Sequence, residues 1–139
     1  MVQLIIGSKG KGKTKVLLKK ADEALKAAMG TVVYVDKNSQ HMYELSNKIR
    51  LINVGNYPVN TPEGYIGFLS GIIAQDNDLE YMFLDSFLAT SGISAAQLPG
   101  AMKVISVLAE KYKVNFVISV SMDSHELPEE LKSYDIVEL

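Results

Sequence analysis

The sequence contains no cysteine, which excludes disulfides, a thiolate nucleophile and a cysteine-based zinc site. Arg50 is its only arginine. Nucleotide monophosphate kinases clamp two substrates with several arginines, because the planar guanidinium grips phosphate through two hydrogen bonds at once. One arginine argues against that class. The two histidines, His41 and His125, are isolated, with no second ligand at metal spacing. No stretch approaches the roughly 18 continuous apolar residues that a membrane span requires. These absences point to a cytoplasmic protein with no membrane partner.

Its 139 residues suit one domain, and 47% hydrophobic with 22% charged residues is the balance of an ordinary globular fold. The formal net charge of −2 is unevenly spread. Lys9, Lys11, Lys13, Lys15, Lys19 and Lys20 crowd the beginning, whereas Glu126, Glu129, Glu130, Asp135 and Glu138 crowd the end. No aromatics interleave with these lysines, so the stacking platform used for single strands is missing and nucleic acid is not the favoured partner.

Within the basic segment, Gly7-Ser8-Lys9-Gly10-Lys11-Gly12-Lys13-Thr14 matches G-x-x-x-x-G-K-[ST] at every fixed position. The apolar run Val2–Ile6 precedes it and a helical pattern follows, the context that marks a phosphate loop. Glycines let the backbone turn tightly around an anion, so that several N–H groups serve it together. The helix that starts near Lys13 adds its positive end. The Lys13 ammonium can reach β- and γ-phosphates, and the Thr14 hydroxyl can ligate Mg²⁺. Gly7, Ser8, Lys9, Gly10, Lys11, Gly12, Lys13 and Thr14 are therefore the expected nucleotide-binding residues. No Asn-Lys-x-Asp follows a late strand, since Asn47-Lys48 runs into Ile49-Arg50. GTP is disfavoured, and ATP with Mg²⁺ is the expected ligand pair.

The remaining chain alternates strand and helix signals. Buried strands are expected at Val2–Ile6, Thr31–Val35 and Tyr81–Leu84, further strands at Ile49–Val54 and Val114–Val120, and a short edge strand at Ile136-Val137. Helices are expected over Lys13–Met29, across Ser39–Asn47, from Pro62 to about Gln75 behind the Thr61 N-cap, from about Leu98 to Tyr112, and briefly after Pro128. The alternation predicts a three-layer α/β/α sandwich with a mostly parallel sheet, a P-loop nucleotide-binding domain over residues 1–139.

Parallel sheets place ligand sites beyond the carboxyl ends of their strands. Asp85 ends the run Tyr81–Leu84, in the Walker B pattern whose carboxylate holds Mg²⁺. Thr14 and Asp85 are thus the candidate metal ligands. Hydrolysis also needs a residue that positions water, usually Glu or Gln. No Glu follows Asp85, and Asp36, the carboxylate at the end of the second strand, is the candidate base beside Lys13; a strand-ending turn cap is its alternative role. Ser119 and Ser121 are either γ-phosphate sensors or small core residues. Tyr34, Tyr43, Tyr57, Tyr65 and Tyr81 include either an adenine-stacking ring or only packing side chains.

Taken in order, these segments resemble a RecA-like ATPase core, the group that includes RecA, RadA, KaiC and the DnaB-type helicases. The resemblance runs through Gly7–Thr14, Val33-Tyr34-Val35-Asp36, the strand Leu51–Val54, the helix opened by Thr61-Pro62-Glu63, Phe83-Leu84-Asp85-Ser86 and Phe116–Ser121. It implies a RecA-like fold, Mg²⁺-dependent ATP hydrolysis, and assembly into rings or filaments with a basic finger from a neighbouring copy, a role open to Arg50 or a lysine. Where such enzymes commonly carry a catalytic Glu beyond the second strand, this chain has Asp36-Lys37-Asn38. Three readings follow: a weak ATPase, a non-catalytic ATP-responsive module that docks a protein partner or assembles, and a small-molecule phosphotransferase whose acceptor lies over Asn56–Asn60.

Overall fold

Six strands form one sheet in the order β3-β2-β4-β5-β1-β6, and every neighbouring pair is parallel. The computed structural model describes residues 1–139. In chain order the elements are β1 (Val2–Gly7), α1 (Lys13–Ala27), β2 (Thr31–Asp36), β3 (Arg50–Asn53), α2 (Pro62–Ala74), β4 (Leu79–Leu84), α3 (Phe87–Ser91), α4 (Leu98–Tyr112), β5 (Asn115–Ser121) and β6 (Asp135–Glu138). Single 3-10 turns occupy Val54–Asn56 and Glu129–Leu131. Because all strands run the same way, the segments that leave β1, β2, β4 and β5 emerge along one edge. No helix is long and apolar enough to cross a membrane.

The apolar runs in the strands are continuous because both faces of the sheet are covered. Alternate residues divide between two cores. Leu4, Ile6, Val33, Val35, Met82, Leu84, Phe116, Ile118 and Val120 pack with α2, α3 and α4. Ile5, Val32, Tyr34, Phe83 and Val117 pack with Leu17, Leu18 and Ala21 of α1. The α/β/α layering expected from the strand–helix alternation is present, and the sheet is more uniformly parallel than expected.

Local chemistry explains where the elements depart from expectation. The helix expected across Ser39–Asn47 is a series of turns. Their N–H groups close onto carbonyls three residues back, Met42 onto Ser39 and Glu44 onto His41. The Asn38 side chain takes the Gln40 N–H and the Ser46 hydroxyl takes that of Lys48, so short polar side chains compete with helical pairing. Leu45 and Ile49 are buried there, while Met42 and Tyr43 are exposed, which leaves no apolar stripe to support a helix. Helix α1 ends at Ala27 rather than Met29, since Ala28 turns extended and Glu80 accepts the N–H groups of Met29 and Gly30. Helix α3 falls in a stretch for which the sequence predicts no element; five residues carry too little periodicity to announce a helix.

Other elements form as their residues suggest. Thr61 caps α2 by accepting the Gly64 N–H at 2.9 Å, with Pro62 in the first turn. Helix α4 begins at Leu98 with Pro99 in its first turn. It ends on Lys113, which holds a left-handed conformation at φ 58° and ψ 42°. That conformation is unfavourable for a residue with a Cβ. Lys113→Gly is expected to raise the unfolding free energy by about 0.5–1 kcal/mol. Urea unfolding followed by circular dichroism measures this, and a loss of stability would contradict it.

Candidate functional site

The turn after β1 depends on two glycines. Gly10 and Gly12 sit at φ +89° and +90°, where L side chains rarely go, although an added Cβ would meet open space at each. The Lys11 N–H closes onto the Ser8 carbonyl at 3.2 Å. The N–H groups of Lys9, Gly10, Gly12, Lys13 and Thr14 have no acceptor within the chain. Gly12 is the N-cap of α1 and no side chain caps that end. Free backbone donors and the positive end of α1 therefore gather in one place.

Lys13 stands beside them and is only 8% exposed. Its ammonium donates to the Ser8 carbonyl oxygen at 3.1 Å. Burial lowers its pKa, and the nearby Asp85 carboxylate opposes that shift.

Asp85 follows β4 and is 2% exposed. A buried carboxylate needs donors, and this one has four. The Thr14 hydroxyl (3.2 Å), the Ser86 N–H (2.8 Å) and the Ser119 hydroxyl (2.8 Å) donate to Oδ1. The Tyr34 hydroxyl donates to Oδ2 at 2.8 Å. Ser86 adopts a left-handed backbone, φ 50° and ψ 51°, which costs about 1–2 kcal/mol for an L residue. In that conformation its N–H donates both to Asp85 Oδ1 and, at 2.8 Å, to Ser119 Oγ. One hydrogen bond to the carboxylate and one to the Ser119 hydroxyl thus offset the backbone strain.

A hollow of about 600 Å³ opens over these groups, within the usual size of a small-molecule site. Lys9, Gly10, Gly12, Lys13 and Thr14 line one side; Asp85, Ser86, Ser119 and Ser121 line the floor; Lys37, Leu88 and Ala89 complete it. Three lysines face one carboxylate that already accepts four hydrogen bonds, so the hollow suits an anion rich in oxygen acceptors. Nowhere in the chain do three His, Cys, Asp or Glu side chains converge as a metal site built wholly from such side chains would require. A second hollow, about 730 Å³, lies at the opposite edge of the sheet among Met1, Ser106, Glu110, Lys113 and Tyr134, and includes none of the glycine loop.

The chain matches no protein-family model and none of the curated proteins with which it was compared.

Of the residues singled out from sequence, Lys9, Gly10, Gly12, Lys13, Thr14 and Asp85 meet around the hollow, with Ser119 and Ser121. Gly7, Ser8 and Lys11 support the turn without lining it; the Gly7 N–H donates to the Met122 carbonyl at 2.9 Å. Asp36 stands apart. It is 4% exposed, does not line the hollow, and accepts the Lys37 N–H on Oδ1 at 2.7 Å. Its pKa is raised, chiefly by burial and further by Asp85, against the lowering effect of the Lys37 N–H. None of the five tyrosines lines the hollow. Tyr34 instead holds Asp85, while Tyr65 packs edge-on against Phe87 with ring centroids 5.6 Å apart.

Sequence reasoning missed Lys37, Leu88 and Ala89, along with the role of Tyr34. A usable signal for Tyr34 exists: it lies on the same strand face as Asp36, two residues earlier. Linking it to Asp85 needs the adjacency of β2 and β4, which no local pattern reveals.

The two buried tyrosines give a contrasting pair. Tyr34 and Tyr65 are both 0% exposed, but the Tyr65 hydroxyl has no hydrogen-bond partner. Tyr34→Phe is expected to destabilise the fold by about 1.5–3 kcal/mol, because it removes the sole donor to one oxygen of a buried carboxylate. Tyr65→Phe is expected to be neutral or stabilising by about 1 kcal/mol. Chemical denaturation of both variants decides; equal losses would refute the distinction.

Proposed function

We propose that this chain is a P-loop protein with a RecA-like core that binds ATP with Mg²⁺ and hydrolyses it slowly. The observation that carries the reading is the joining of the glycine loop to Asp85 through Thr14 and Lys13. Thr14 Oγ1 stands 3.2 Å from Asp85 Oδ1, and the Lys13 ammonium, which donates to the Ser8 carbonyl, feels the Asp85 charge. Element order adds support: the loop leaves β1, the carboxylate ends β4, and β5 between them supplies Ser119.

The donor set suits a magnesium triphosphate. Thr14 and Asp85 would hold the ion with hard oxygen atoms, and since no further acidic side chain converges there, phosphate oxygens and water would supply the other ligands. When bound, Mg²⁺ neutralises charge that develops on the β- and γ-phosphate oxygens. The chain's own part is positional. The Lys9–Thr14 backbone donors would fix the phosphates, and the Lys13 ammonium would turn from Ser8 onto them. Leu88 and Ala89 give the α3 side of the hollow an apolar lining.

Slow turnover follows from the carboxylate inventory. Asp85 is the only carboxylate lining the hollow, and its oxygens already accept four hydrogen bonds. Asp36 is buried to one side with Oδ1 engaged by a backbone N–H. No free base stands ready to deprotonate a water. The same observation favours a second reading, a module that binds ATP and uses the occupied state to assemble or dock a protein partner. The phosphotransferase reading gains nothing, because no residue of Asn56–Asn60 lines the hollow.

Calorimetric titration of Mg²⁺-ATP into wild type and Lys13→Ala tests the proposal. Wild type is expected to bind, and the variant to lose about 10–100-fold in affinity through the missing charged hydrogen bonds. Phosphate release by wild type is expected to fall well below about one per second, the low end of ordinary enzymes. Neither heat nor thermal stabilisation of wild type by ATP or GTP would overturn the reading.

A further inference from the structure

Lys37 is the one cation of the hollow that does not come from the glycine loop. It leaves the end of β2, and β2 lies beyond β4 as seen from β5 and β1. Lys37 therefore stands across Asp85 and Ser86 from the glycine loop. Its ammonium is uncommitted: the chain's ion pairs join His41 to Glu44 and Glu129 to Lys132. No acidic side chain but Asp85 lines the space in front of it.

The backbone at this position is held from two sides. The Asp36 carboxylate accepts the Lys37 N–H at 2.7 Å. Gly55, in the turn after β3, packs so closely that a Cβ there would come within 2.7 Å of the Lys37 carbonyl oxygen. A side chain at position 55 would push Lys37 out of place. Lys37 is exposed, yet its backbone has a support that a lysine on a free loop lacks.

We propose that Lys37 contacts the terminal phosphoryl group of the bound triphosphate, with Asp36 and Gly55 as its positioning residues. The inference rests on the nucleotide reading above. Thr14 and Asp85 would hold the ion beside the terminal phosphates, which would turn the γ end of the ligand toward β4. The next strand beyond is β2, about 4.8 Å away, a gap that a lysine side chain spans. Lys37 thereby supplies in the same chain a cation that distinguishes a triphosphate from a diphosphate. It also gives Asp36 a task other than proton transfer.

The test is calorimetric titration of Mg²⁺-ATP and Mg²⁺-ADP into wild type, Lys37→Ala, Lys37→Arg and Gly55→Ala, with a thermal melt of each without nucleotide. Lys37→Ala is expected to weaken ATP about tenfold, the loss of one charged hydrogen bond. ADP affinity and the nucleotide-free melting temperature are expected to stay unchanged, and Lys37→Arg to restore ATP affinity. Gly55→Ala, where its melt shows it folded, is expected to reproduce the selective loss with Lys37 intact. Equal weakening of ATP and ADP by Lys37→Ala, or no change in either, would overturn the role of Lys37 while binding by wild type and its loss in Lys13→Ala left the site standing. Failure of wild type to bind either nucleotide would overturn both.

Discussion

A carboxylate taken out of water must be surrounded by donors, and satisfying Asp85 organises this end of the molecule. Its partners come from α1, β2, β5 and its own chain neighbour: Thr14, Tyr34, Ser119 and Ser86. Removing any donor leaves charge density in a nearly closed space, with a cost larger than the average value of a hydrogen bond. The four contacts thus fix the register of three strand ends and one helix start relative to each other. Lys13 adds a long-range attraction that partly offsets the cost of its own burial. The glycine loop is held at both ends by this arrangement, through Gly7 on Met122 and through Thr14 on Asp85.

The parallel sheet makes the convergence geometrically cheap. Each strand delivers its last residue to the same edge, so one polar residue after each apolar run is enough to assemble a polar floor. Asp85 and Lys37 follow the apolar runs of β4 and β2, Ser121 ends β5, and Ser119 adds a second serine from two residues earlier. The positive potential comes from a different source, namely unpaired N–H groups, a helix start and three lysines whose charges the sheet leaves uncompensated. An anion placed there meets a site built in advance, which needs little reorganisation.

Much of the fold was legible because period and punctuation agree. Val2–Ile6, Thr31–Val35 and Tyr81–Leu84 are apolar but for Gln3 and Thr31 and are followed by Gly or Asp, as suits a short strand covered on both faces. Thr61-Pro62 named the start of α2 through its capping chemistry. The stretch Ser39–Asn47 misled because its composition allows a helix while its side chains bond to nearby backbone instead. At the site, the loop and Asp85 were readable as local patterns. Lys37 and Tyr34 were not, because their importance comes from which strand lies beside β4, and strand order is a long-range property.

Asp36 and Asp85 show the limit of local pattern most sharply. Both close an apolar strand, and both are buried. Neighbours separate them. β4 lies between β2 and β5, so that Asp85 meets a serine from one side, a tyrosine from the other and the first turn of α1 above. β2 has β3 as its outer neighbour, and at that end Asn53 turns its side chain onto the Gly55 N–H rather than toward Asp36. Asp36 therefore folds back onto the N–H of the residue that follows it. Asp36 has that single local donor, whereas Asp85 draws four. A strand-ending aspartate becomes a candidate metal ligand or a backbone support according to its place in the sheet, and the same five-residue pattern serves for either.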